Sequence, residues 1–250
     1  MTSKVAIVTG ASSGIGAATA RALAAKGWRV AINFSRDVVR AAKVASECKE
    51  AAVFQGDVSQ DGDCRRVAKE VLAKWGRIDA LVNNAGATKF VKHTDLDALK
   101  SQDFQDILRV NVVGPFQMIR ACAEALKASR GSVVNISSAA AVLGTGSSIA
   151  YAASKAALNT MSFSLARALA PEVRVNVVAP GYVKTPWQVA AHGEEGAAEA
   201  ERRFAAVAPL KAAAEPEDVA EAIVWLVEGA RRVTGEVIFV DGGIHIASPR

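Results

Sequence analysis

The feature that most constrains this chain is a series of short runs that are apolar at nearly every consecutive position. Val5-Ala6-Ile7-Val8 is the first, and segments 29–34, 53–54, 78–82, 132–136, 173–178 and 237–240 repeat the pattern. An amphipathic surface strand would alternate apolar and polar residues, so these runs read as strands buried on both faces, as in a parallel sheet. Longer segments of helical pattern lie between them, at about 14–26, 37–49, 61–75, 104–128, 149–170 and 216–228. Gly27 and Gly76 stand where the first and third of these should stop. Strand–helix alternation with right-handed crossovers gives a doubly wound α/β sheet with helices on both faces. No linker or internal repeat divides residues 1–250, so one domain is expected. Segment 185–209, rich in Ala, Glu and Gly, breaks the rhythm just after a strand's carboxyl end. It reads equally well as a mobile substrate lid and as an ordinary surface helix.

A hydrophobic fraction of 51% supplies an ample core and excludes disorder as the main state. The formal net charge is +5, but the basic pairs Arg65-Arg66, Arg202-Arg203 and Arg231-Arg232 are isolated among acids. A nucleic-acid footprint needs a dense patch or stripe, so no nucleic-acid partner is expected. Three dispersed cysteines (Cys48, Cys64, Cys122) do not make a disulfide framework and fit a reducing cytoplasm. The three histidines, without CxxC or HExxH spacing, give no metal site. Met1-Thr2-Ser3-Lys4 runs straight into the first strand without a signal or transit pattern. No apolar run approaches the roughly 18 residues of a membrane span.

The first strand runs into Thr9-Gly10-Ala11-Ser12-Ser13-Gly14-Ile15-Gly16 and then a helix. Glycines there allow a tight turn and close approach to a pyrophosphate, while the helix N-terminus offers unpaired N–H groups and the positive end of its dipole. The spacing is neither G-x-G-x-x-G nor a Walker loop.

This loop resembles that of the short-chain dehydrogenase/reductase family, and the resemblance spans almost the whole chain. Asp57-Val58 matches the pair that contacts adenine, Asn83-Asn84-Ala85-Gly86 the N-N-A-G motif, and Asn111 the family's asparagine. Asn135-Ile136-Ser137-Ser138 leads into Tyr151-Ala152-Ala153-Ser154-Lys155, the Y-x-x-x-K motif, and Pro180-Gly181 and Asp241-Gly242-Gly243 follow. The overall pattern is most similar to bacterial 3-oxoacyl-acyl-carrier-protein reductases. The resemblance implies a Rossmann-type, mostly parallel seven-stranded sheet, a homotetramer and a nicotinamide dinucleotide cofactor. It implies cofactor contacts from Gly10, Ser12, Ser13, Gly14, Ile15, Gly16, Ser35, Arg36, Asp57, Val58, Asn84, Ala85, Gly86, Tyr151, Lys155, Pro180, Gly181, Val183 and Thr185. It implies catalysis by Asn111, Ser138, Tyr151 and Lys155, with Asn111 holding a water that links Lys155 to solvent.

Tyr151 and Lys155 stand four residues apart on one helix face. A free phenol titrates near 10, and a neighbouring ammonium favours the phenolate, so Lys155 is expected to lower the Tyr151 pKa. Tyr151 then exchanges a proton with a carbonyl or alcohol oxygen as hydride moves. Ser137 and Ser138 point to opposite faces of a strand, and the thirteen-residue spacing to Tyr151 found in the family selects Ser138 to orient the substrate oxygen. No G-x-S-x-G elbow surrounds either serine, which argues against a hydrolase.

Cofactor choice falls at the end of the second strand. Phe34 stands where NAD-dependent members carry an acid, and Ser35 and Arg36 suit a 2′-phosphate, so NADP(H) is preferred with NAD(H) as the alternative. Asp37 either begins the next helix or swings back toward the ribose. Thr88, Phe90, His93, Leu143, Tyr182, Trp187 and Val189 are expected to line a largely apolar substrate pocket. A 3-oxoacyl thioester and a sugar, polyol or steroid remain alternative substrates, and a non-catalytic NADP-binding sensor is the alternative of another class.

Overall fold

The structure is a computed structural model and describes residues 3–247; Met1 and Thr2, part of the N-terminal pattern above, lie outside the described residues. Seven strands run in the order β1 (Val5–Val8), β2 (Arg29–Phe34), β3 (Ala51–Gln55), β4 (Ala80–Asn83), β5 (Ser132–Ile136), β6 (Arg174–Pro180) and β7 (Val237–Val240). In space they lie β3-β2-β1-β4-β5-β6-β7, and every pairing is parallel. The expected sheet is therefore present, wholly rather than mostly parallel.

Unbroken apolar runs have a direct cause in this sheet. Ala6 and Val8 enter one core while Val5 and Ile7 enter the other, so each residue of β1 meets a helix layer. One layer contains α1 (Gly14–Ala25), α2 (Val38–Ser46) and α9 (Pro216–Glu228), with Leu23, Ile223 and Leu226 fully buried. The other contains α3 (Asp61–Trp75), α5 (Gly114–Ser129) and α7 (Ile149–Leu169), with Val71, Ile119 and Leu126 against the sheet. Burying each such aliphatic side chain contributes about 1.5–3 kcal/mol.

The long helix expected over 104–128 is three pieces: α4 (Ser101–Leu108), a π turn over Arg109–Val113, and α5. A π turn inserts a residue into the helical ladder and redirects the side chains inside it, among them the fully buried Asn111. A short α6 (Ala140–Leu143) precedes α7. Segment 185–209 is mostly helical: α8 runs Pro186–Val207 but breaks at Gly193, whose φ of 68° lies in the left-handed region. No helix among the described residues is long and apolar enough to cross a membrane.

Candidate active site

Strand order reverses between β1 and β4, and the carboxyl ends of the strands leave a crevice there, where ligands bind in open α/β sheets. A cavity of about 550 Å³ fills it. Its walls include Gly10, Ser13, Gly14, Ile15, Ser35, Arg36, Asp57, Val58, Asn84, Ala85, Gly86, Pro180, Gly181, Val183 and Thr185. Ser138, Tyr151 and Lys155 line the same cavity.

Two expected contacts are not on those walls, Ser12 and Gly16. Gly16 is buried behind the loop, where a Cβ would lie 2.5 Å from Asn84 Nδ2 and 2.6 Å from the Gly10 carbonyl oxygen. Its lack of a side chain serves the packing of helix on loop. Gly10, at φ +61°, would press a Cβ to 2.9 Å from the Ala85 backbone. Asn84 fastens the two loops, its side-chain amide donating to the carbonyls of Thr9 and Gly10 at 3.0 and 3.1 Å. Thr9 Oγ1 in turn accepts from the Asn84 and Ala85 N–H groups, both at 3.0 Å. The loop thus presents bare backbone at a helix N-terminus, a shape and polarity that fit a dinucleotide pyrophosphate.

At the end of β2, Phe34 is buried and Ser35 and Arg36 are exposed on the cavity wall. Asp37 is the N-cap of α2: its carboxylate accepts from the Arg40 backbone N–H at 2.8 Å and pairs with the Arg40 guanidinium. These bonds hold its carboxyl below the usual carboxylate range. Of the two readings of Asp37, the helix start is the one observed.

α7 begins where Ser148, in extended conformation, accepts from the Tyr151 backbone N–H at 3.2 Å. That cap sets Tyr151 in the first turn and Lys155 one turn later. Lys155 Nζ donates to the Ile136 carbonyl at 2.8 Å and lies 5.6 Å from the centre of the Tyr151 ring. Ser137 and Ser138 both line the cavity, against the expectation that they face apart. The buried Ser137 donates its hydroxyl to the Lys155 carbonyl at 3.2 Å, whereas Ser138 Oγ accepts from the Ala140 N–H at 3.1 Å. Asn111 bridges the loop after β4, accepting from Ala87 N–H at 2.7 Å and donating to the Ala87 carbonyl and to Ser154 Oγ, both at 2.9 Å. It does not line the cavity. Gly86 lies between them: a Cβ there would be 3.5 Å from Asn111 Oδ1 and 3.8 Å from Lys155 Nζ.

The electrostatics differ from the expectation of a lowered phenol. Burial pushes Tyr151 up to about 12, against a smaller downward pull from its hydrogen bond with Ser138. Burial likewise pulls Lys155 down to about 8. In the protein alone, desolvation dominates, so the phenol keeps its proton at neutral pH.

A second cavity, of about 580 Å³, adjoins the first and shares Ser138, Tyr151, Gly181, Trp187 and Gln188 with it. Thr88, Phe90, Leu143 and Tyr182 line it as expected. His93 and Val189 do not; Val189 lines a separate cavity beside α8. His192 and Phe204 from α8 line it instead, as do Ala200 and, from the C-terminal segment, Ile244. Nothing in the sequence marked these, because their placement depends on how α8 folds back over the site.

A family model described as enoyl-(acyl carrier protein) reductase matches residues 10–245. The chain belongs to the short-chain dehydrogenase/reductase family. This family member is 42% identical, over 97% of its length and 96% of the relative's, to a Streptomyces violaceoruber protein provisionally named ketoacyl reductase 2 of the granaticin polyketide synthase. It is 36% identical to the 3-oxoacyl-[acyl-carrier-protein] reductase of Synechocystis, over 98% of both chains. Its fold superposes on the crystal structure of a Burkholderia xenovorans protein, provisionally described as a short-chain dehydrogenase/reductase, with TM-score 0.91 and 40% identity over 99% of this chain and 100% of that one. The chain is thus an oxidoreductase of this family, similar to ketoacyl reductases.

Proposed function

We propose that this short-chain dehydrogenase/reductase is an NADPH-preferring carbonyl reductase in which Tyr151 is the general acid. One observation carries the reading: a proton-loaded phenol, a serine hydroxyl and a lysine ammonium meet where a dinucleotide-shaped cleft opens into an apolar cavity. A reduced nicotinamide dinucleotide bound in the cleft supplies the hydride that a carbonyl carbon accepts. Ser138 orients the carbonyl oxygen, and Tyr151 Oη transfers its proton there, leaving a secondary alcohol and a phenolate. Lys155, within 5.6 Å of the ring, stabilises that phenolate and passes a proton back to it. Asn111 positions the loop that carries Gly86 and Ala87 and supports a water-mediated relay from Lys155 to solvent. The reverse sequence oxidises an alcohol.

The NADPH preference rests on Arg36, exposed on the cleft wall, and on Asp37 being occupied by its own helix. A 2′-phosphate then meets a guanidinium and no free carboxylate. Arg36→Ala is expected to weaken NADPH binding at least tenfold, in line with about 1.5–3 kcal/mol for a charged hydrogen bond, and NADH binding less than twofold. Calorimetric titration with each cofactor checks this, and equal losses for both would remove the preference. A non-catalytic sensor would bind NADPH without oxidising it, which the fall in absorbance of the reduced cofactor distinguishes.

A further inference from the structure

We infer that the substrate carries its reacting carbonyl on a flat aromatic or fused-ring body; this deepens the reductase reading and rests on it. The second cavity concentrates the rings of a chain with few. Both of its tyrosines, one of its four tryptophans and two of its eight phenylalanines line that one space, joined by His192. They form three pairs around it. Phe90 and His192 meet edge-to-face at 4.7 Å and 80°, Tyr151 and Trp187 at 6.4 Å and 87°, and Tyr182 and Phe204 lie tilted at 6.1 Å. Near-perpendicular pairs leave ring faces and edges turned to the cavity, the surfaces a flat π-system packs against. Phe90 and Trp187 remain 39% and 42% exposed, apolar area left uncovered inside a concave site.

The polar lining points the same way. Among the described residues no Asp, Glu or Asn lines the cavity, and Lys92 is the one flexible cation there. Thr88 and Ser147 spend their hydroxyls on each other at 2.6 Å, and Tyr182 donates its own to the Ala197 carbonyl at 2.8 Å. The polar side chains left to meet a polyhydroxylated sugar, chiefly Ser138, Thr145, Gln188 and His192, are too few to replace most of the water it would lose. A linear acyl chain would find few branched aliphatic walls, mainly Val91, Leu143 and Ile244.

The test compares NADPH oxidation by the full chain with 1-tetralone, a fused-ring aryl ketone, with a linear 3-oxoacyl thioester of N-acetylcysteamine, and with glucose. The expected kcat/KM for 1-tetralone exceeds each of the others at least tenfold. Phe90→Ala is expected to raise KM for 1-tetralone more than KM for the thioester. A thioester or glucose preferred over 1-tetralone overturns the inference while leaving the reductase reading intact. If none of the three is reduced, the reductase reading fails, and calorimetric titration of 1-tetralone into NADPH-loaded Tyr151→Phe decides the inference by itself. Saturable one-to-one binding there supports the ring-binding cavity, and no saturable binding overturns it.

Discussion

Tyr151→Phe is expected to lower kcat for ketone reduction by about 10²- to 10⁴-fold, the usual worth of a positioned general acid. The Kd for NADPH should change less than twofold. The substitution removes one oxygen and keeps the ring, so the edge contact with Trp187 and the start of α7 at Ser148 persist. What disappears is the only phenol shared by the two cavities, and with it the proton that burial holds on the oxygen. Ser138 remains and can orient a carbonyl oxygen, but its hydroxyl is a far weaker acid. Stopped-flow absorbance at the reduced-cofactor band gives kcat, and titration calorimetry gives Kd. A fall in kcat together with a large rise in Kd would mean that Tyr151 serves the fold or the cofactor rather than the proton transfer.

Lys155→Met should produce an effect of opposite sign on two observables: activity falls and stability at neutral pH rises. Lys155 is 4% exposed, and burial pulls its ammonium from 10.5 down to about 8. A base whose folded pKa is lowered destabilises the fold at pH values below the folded pKa, and the penalty vanishes as pH rises from about 8 to about 10.5. At pH 7 that penalty is about 3 kcal/mol. Losing the Lys155 hydrogen bond takes one donor from the Ile136 carbonyl and offsets about 1–2 kcal/mol of the gain. The Met variant should therefore unfold at higher denaturant at pH 7, and the advantage should shrink and reverse by about pH 10. Tyr151 does not obscure this window, since its raised pKa affects stability only between about 10 and 12. Reductase kcat should drop by about 10²-fold or more, because the phenolate loses its nearby cation. Equal stability of wild type and variant across this pH range would show that Lys155 is not held as a buried cation.

The sheet and the glycine-rich turn after β1 were legible because their causes are local. A strand buried on both faces must be apolar at consecutive positions, as Val5–Val8 is, and backbone presented at a helix N-terminus needs residues like Gly10 and Gly14. The motif residues around Tyr151 were legible for the same reason, since a spacing of four fixes their shared helix face. What failed to show in the sequence depends on packing between distant segments. The π turn at Asn111 is invisible to helical periodicity, and so is the break in α8 at Gly193, across which His192 on one side and Ala200 and Phe204 on the other line the same cavity. His93 is closer in sequence to the loop after β4 but lies off the cavity. The raised phenol had no sequence signal, because neighbouring charge can be read from spacing and desolvation cannot.

The central claim is that the Tyr151 phenol stands beside the nicotinamide ring, within reach of the same carbonyl. A crystal structure with NADP⁺ and an unreactive alcohol or ketone analogue measures this directly. The account predicts the analogue's oxygen about 3 Å from both Tyr151 Oη and Ser138 Oγ, with its carbon about 3.5 Å from the reactive ring carbon. A nicotinamide ring bound at the opposite end of the cleft, or a phenol turned toward bulk water with the analogue out of its reach, would contradict it.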